Sequence, residues 1–152
     1  PHHLAAQQAG ASAVLNFEKY SEQDRLDWVL ESTGGRGADV TIEATGAPDA
    51  VVQAMRFTRD AGRVVVVGQY TDHGSATFNP HLDLNKKHLD VRGCWGSDFS
   101  HFYRGVQIMC DSTRSKAWAG MRPQTYRLPQ ANEALAAVAD GAVLKALIDP
   151  ST

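Results

Sequence analysis

Gly34-Gly35-Arg36-Gly37-Ala38-Asp39-Val40-Thr41-Ile42-Glu43-Ala44-Thr45-Gly46 is the stretch whose reading decides the fold. A glycine-rich turn leads into a short apolar run, Val40 to Ala44, and a second small-residue turn follows before Pro48 opens a helix. Proline suits the first helical turn, where its missing N–H costs no hydrogen bond. Turn, strand, turn and helix in that order is the local pattern of a βα nucleotide-binding sheet. Ligands of open sheets lie beyond the carboxyl ends of the strands, so Ala44, Thr45 and Gly46 stand where a cofactor passes.

Upstream, residues 3–9 are rich in Ala and Gln and end at Gly10, a helix with a glycine cap. Ala13 to Phe17 reads as a short apolar strand. Ser21 with Asp24 three residues on opens a helix in the manner of a capping box, and Leu26, Val29 and Leu30 form its apolar face. Downstream, the helix from Pro48 to about Arg59 turns Val51, Val52, Met55 and Phe57 toward a sheet. Arg63 to Gly68 carries four consecutive valines without alternation, which predicts a strand covered on both faces.

A polar loop over 71–80 leads to a short helix over 80–87 and to His88–Cys94, an alternating strand near a sheet edge. A helix over 99–110, an irregular section to Met121, an extended piece at 125–128, a helix over 131–139 and a strand over 143–148 complete the chain. The predicted fold is α/β, a doubly wound, mostly parallel sheet with right-handed crossovers. Such a unit opens with Gly-x-Gly-x-x-Gly and an acidic residue about 20 positions later. Neither is in this sequence, so the first βα turn was cut away or never present.

The chain has 152 residues, the size of one domain. Its 15 Lys and Arg against 17 Asp and Glu give no electrostatic reason to expect nucleic acid or an anionic membrane. No apolar run approaches the roughly 20 residues that span a bilayer. Pro1 to Ala6 lacks a signal-peptide pattern. Cys94 and Cys110 are the only cysteines, too few for a disulfide framework or a metal site, and a reducing cytoplasm is the default expectation.

Several pieces, in order, carry a resemblance: Ala9-Gly10-Ala11, Gly34 to Val40, Glu43-Ala44-Thr45-Gly46, Gly62 to Val65 with Val67-Gly68, Arg92-Gly93 with Trp95-Gly96, Ala131-Asn132-Glu133-Ala134, and Lys145-Ala146 with Asp149-Pro150. The chain resembles the C-terminal part of a zinc-type medium-chain alcohol dehydrogenase of the threonine and sorbitol dehydrogenase branch. The resemblance implies a Rossmann-like, partial NAD(P)-binding domain over residues 1–152, with the N-terminal barrel-like catalytic domain and its zinc ligands outside this sequence. It implies NAD or NADP as cofactor and hydride transfer between an alcohol and nicotinamide in the full-length family member. It leaves this chain with cofactor contacts, no catalytic residue and no metal ligand.

By that resemblance Ala44, Thr45 and Gly46 line the adenosine side, and Val67, Gly68 and Gln69 sit by the nicotinamide ribose. Gly93, Cys94 and Trp95 flank the carboxamide, Lys145 reaches the pyrophosphate, and His2 falls near the adenosine ribose. The family's edge strand, here residues 88–93, pairs subunits into a homodimer. That gives the alternative reading of a structural or dimerisation module.

Other polar residues have plainer readings. A strand Cys94 without metal-site neighbours is a small core residue. His81 and His88 are seven positions apart across a helix end, which fixes no shared geometry. Asp72-His73 is a solvated loop pair. Glu43 ends a buried-looking strand and calls for hydrogen bonds from nearby backbone rather than an acid-base role.

Overall fold

The computed structural model of the chain describes residues 2–115 and 123–151, with side chains from residue 5 onward. It divides into two compact units, Phe17–Asp98 and Pro1–Asn16 with Phe99–Thr152. The second unit begins the chain with α1 (His2–Gln8), closed by Gly10 at a φ of 101°.

The anticipated strand over 13–17 does not form. Residues 13–16 are irregular, and Phe17–Lys19 make one 3-10 turn. A strand exists through its ladder, and among the described residues no sheet ladder includes this segment, so its apolar character alone does not make one.

In the Phe17–Asp98 unit, the Ser21 hydroxyl accepts from the Asp24 amide at 3.2 Å, and the Asp24 carboxylate accepts from the Ser21 amide at 3.0 Å. This reciprocal box starts α2 (Glu22–Ser32) as expected. The strand β1 covers Ala38–Glu43, and α3 covers Pro48–Phe57 with Pro48 in its first turn. Lys87 Nζ closes the other end of α3, donating to Met55 O at 2.7 Å and Arg56 O at 2.9 Å. That satisfies carbonyls a helix end leaves open.

The next strand, β2, runs Thr58–Val66, longer than the anticipated 63–68. Ala38 is level with Thr58 and Val40 with Arg63, so β2 spends five residues where β1 spends two. The extra residues form a bulge around Ala61, whose φ is 54° and whose amide donates to Lys87 O at 2.7 Å. Pro80–Asn85 is a single π turn, and β3 (Asp90–Gly93) follows.

The three strands order as β1-β2-β3, all parallel. Ala54, Met55 and Val64 form the core between α3 and the sheet, with Val66 and Leu89 packed against them.

The expectation of a sheet covered on both faces holds on the α3 side only. Register places Val40, Ile42, Arg63, Val65, Asp90 and Arg92 on the opposite face. There Val40 is 53% and Ile42 63% exposed, and Arg63 and Arg92 pair with Asp90 at 2.7 and 3.0 Å. Charged residues at the β3 end keep that face wet, which a run of valines in β2 does not reveal.

In the other unit, α4 covers Phe99–Cys110 as anticipated, with no buried residue. Residues 116–122, within the anticipated irregular section, lie outside the described residues. β4 (Gln124–Arg127) pairs in parallel with β5 (Ala146–Asp149), and α5 (Ala131–Ala139) packs on them through the buried Ala134. The last strand thus starts three residues later than the anticipated Val143.

Candidate functional site

Glu43 organises the carboxyl end of the sheet. Its Oε1 accepts from the Thr45 amide at 2.6 Å, the Thr45 hydroxyl at 2.8 Å and the Gly46 amide at 2.8 Å. Its backbone carbonyl accepts from the Val67 and Gly68 amides at 2.9 and 3.1 Å. One residue therefore ties the turn after β1 to the turn after β2.

The Glu43 side chain is buried, and burial by itself pushes its pKa up. The hydrogen bonds from Thr45, Gly46 and Gly68 outweigh that and hold the carboxyl below 4.5, so it stays ionised. The structural role anticipated for Glu43 is what the geometry shows.

Both turns need their glycines. A Cβ on Gly68 would stand 2.5 Å from Gly46 N, 2.7 Å from Glu43 Oε1 and 2.8 Å from Thr45 N. Gly46 has a φ of 78°, and a Cβ there would meet Gly68 O at 3.1 Å. Two chain segments approach here at backbone contact. Glycine at 68 is thus explained by packing within the protein, independent of any ligand.

Three buried side-chain atoms lack partners among the described residues: Glu43 Oε2, Arg25 Nε and Gln69 Nε2. Such atoms are the kind a bound polar ligand or ordered water satisfies. Glu43, Ala44 and Thr45 line a cleft of about 450 Å³ together with Phe17, Arg25 and Phe57. Arg25 Nη1 donates to Phe17 O at 3.0 Å, and the guanidinium stands 5.9 Å from the Phe17 ring centroid. Sequence reading missed this pair, because Phe17 and Arg25 meet only through the loop between them.

Val67, Cys94 and Trp95 line a second, shallower cleft of about 540 Å³ with Tyr70, Gly96 and Ser97. The Cys94 amide donates to Val66 O at 3.0 Å, extending the β2–β3 ladder by one bond. Cys94 is exposed, which corrects its reading as a small core residue: the strand ends one residue earlier, at Gly93, so Cys94 belongs to the turn that follows it. Trp95 is 80% exposed. Gly93 has open space around its Cα, so sterics do not require glycine there.

Gln69 faces elsewhere, into a third cleft with Pro48, Gly74 and Phe78. Lys145 belongs to the other unit, immediately before β5, and is exposed. The structure therefore gathers Ala44, Thr45, Gly46 and Gly68 in one place and Val67, Cys94 and Trp95 in another. The side chain of His2 lies outside the described residues. Among the described residues no three His, Cys, Asp or Glu side chains gather as a metal site, and no helix is long and apolar enough to cross a membrane.

Comparison with known proteins agrees with this architecture. The chain is 28% identical over 144 residues to 5-exo-hydroxycamphor dehydrogenase of Pseudomonas putida, covering 95% of this chain and 40% of that protein. It is 38% identical over 91 residues to L-threonine 3-dehydrogenase of Pyrococcus abyssi, covering 60% of this chain and 25% of the relative. The alcohol dehydrogenase of Thermotoga maritima superposes with a TM-score of 0.84 at 29% identity, over 95% of this chain and 39% of that structure. The chain thus spans about two-fifths of the length of the first of these relatives. Residues 3–110 match the family described as zinc-binding dehydrogenase, and the chain belongs to that family.

Proposed function

We propose that this chain is the cofactor-side portion of an NAD(P)-dependent alcohol or polyol dehydrogenase, positioning the dinucleotide while residues outside the sequence carry out the chemistry. The observation that carries the reading is the Glu43-centred junction of two strand-end turns, with Glu43 Oε2 buried and without a hydrogen-bond partner among the described residues. It lies at the carboxyl ends of parallel strands, where such sheets bind ligands. When bound, the nicotinamide supplies the hydride acceptor, and this chain's part is to orient it. The described residues offer no donor set for zinc, and no step is assigned to a metal.

The 152-residue chain by itself is expected to turn over no alcohol and to bind NADH or NADPH weakly, because it holds no glycine-rich phosphate-binding turn. Hydrogen exchange with and without millimolar NADH checks this. Added protection at 44–46 and 67–69, without saturation in the micromolar range, supports the reading. Protection confined to other segments, or none, refutes cofactor positioning, and alcohol-dependent NADH formation refutes inactivity.

A second reading, a module joining copies through residues 88–93, is favoured by one observation: among the described residues β3 pairs only with β2, at the end of the sheet.

A further inference from the structure

Glu43 and Asp83 are the two buried carboxylates among the described residues, and their charges are met differently. Asp83 faces a cation, with Arg56 Nε at 3.2 Å. Glu43 faces none. The Thr45 and Gly46 amides and the Thr45 hydroxyl, all neutral donors, reach its Oε1, and its Oε2 is buried without a partner among the described residues. Neutral hydrogen bonds keep the carboxyl ionised but leave its negative charge uncompensated.

The same bonds spend the donors of both turns. The amides of Thr45, Gly46, Val67 and Gly68 all donate to Glu43, the Ala47 amide donates to Thr45 Oγ1 at 3.1 Å, and the Tyr70 amide donates to Gly68 O at 3.0 Å. A phosphate-holding turn does the opposite and aims free N–H groups at its ligand. The ends of β1 and β2 are thus a poor seat for an anion and a favourable one for a positive charge. Arg25 lines the same cleft, yet its guanidinium is engaged by the Phe17 carbonyl and ring and forms no ion pair with Glu43.

We propose that the uncompensated charge of Glu43 makes this junction select a cationic ring: with the junction as the cofactor-side site proposed for this chain, on which the inference rests, it favours the oxidised, positively charged nicotinamide over the reduced, neutral one. One fixed charge several ångströms from a partly solvated ligand shifts such a ratio by about fivefold.

Amide chemical-shift titration of the 152-residue chain tests this with two probes of nearly one shape that need no phosphate grip. 1-Methylnicotinamide carries a permanent positive charge, and 1-methyl-1,4-dihydronicotinamide is neutral. The cation is expected to shift the amides of 44–46 and 67–69 and to bind about fivefold more tightly than the neutral probe. Glu43→Gln keeps the shape of the side chain and should bring the two affinities together. Asp49 lines the same cleft, and Asp72 precedes His73, whose ring lies close to Gly46, so Asp49→Asn and Asp72→Asn control for exposed carboxylates and should leave the preference unchanged.

Should Glu43→Gln fail to fold, the unaltered chain and the two aspartate variants decide, and a preference retained in all three upholds the proposal. Equal binding of the probes, tighter binding of the neutral one, no shift at these amides with either, a preference that survives in a folded Glu43→Gln, or its loss in Asp49→Asn or Asp72→Asn overturns it. Equal affinities for NAD+ and NADH, with protection at 44–46 and 67–69, would remove the selectivity and leave cofactor positioning intact. Selectivity between the probes without protection by either dinucleotide would do the reverse.

Discussion

Glu43 is the residue on which the carboxyl end of the sheet depends. Replacing it with Gln keeps one acceptor oxygen and puts an amide donor at the buried, unpartnered Oε2 position, so Glu43→Gln is expected to cost about 1–3 kcal/mol in a denaturant or thermal melt. Its pH dependence has a definite sign. The folded carboxyl titrates below the ordinary 4.5, so its contribution is fully present above pH 4.5 and is lost as pH falls through the lowered folded value. A stability profile from pH 6 downward should show a shallower acid limb for Glu43→Gln than for the unaltered chain. Identical limbs would place the acid sensitivity elsewhere. Gly68→Ala tests the neighbouring contact: the added methyl meets backbone nitrogen of Gly46, not a flexible side-chain tip, so a loss of about 1–3 kcal/mol is expected.

At the level of elements, the helices are closed by specific side chains. Ser21→Ala removes the box that starts α2 and should cost about 1 kcal/mol, read from the midpoint of urea unfolding. Lys87→Met keeps the aliphatic stem but leaves Met55 O and Arg56 O without their donor, with an expected loss of about 1–2 kcal/mol. A Lys87→Met variant as stable as the parent would show that water replaces the ammonium there. Much of this level was legible in sequence. The Ser21–Asp24 spacing, Pro48, and the spans of α4 and α5 rest on contacts a few residues apart, which sequence displays directly. The failures lay where pairing across the chain decides: residues 13–16 form no ladder, β2 gains a bulge at Ala61, and Val40 and Ile42 face outward.

For the whole molecule, family and sheet type are secure, and the activity of a complete dehydrogenase is a proposal, since the chain spans about two-fifths of that first relative. Its two units each hold a parallel sheet, the larger one of three strands in the order β1-β2-β3 among the described residues.

The sequence by itself determined the element order from Ser21 onward, the small-residue turns at 44–46 and 67–69, the structural role of Glu43 and the family. Each is written in short-range patterns of glycine, proline, valine and capping residues. Tertiary structure alone decided that Gly46 and Gly68 meet at backbone contact, that Phe17 and Arg25 wall a cleft with Glu43, and that Cys94 is exposed. Those facts depend on which strand lies beside which and on which face the neighbouring charges keep in water. Pairing and solvation couple residues tens of positions apart, and no local pattern encodes them.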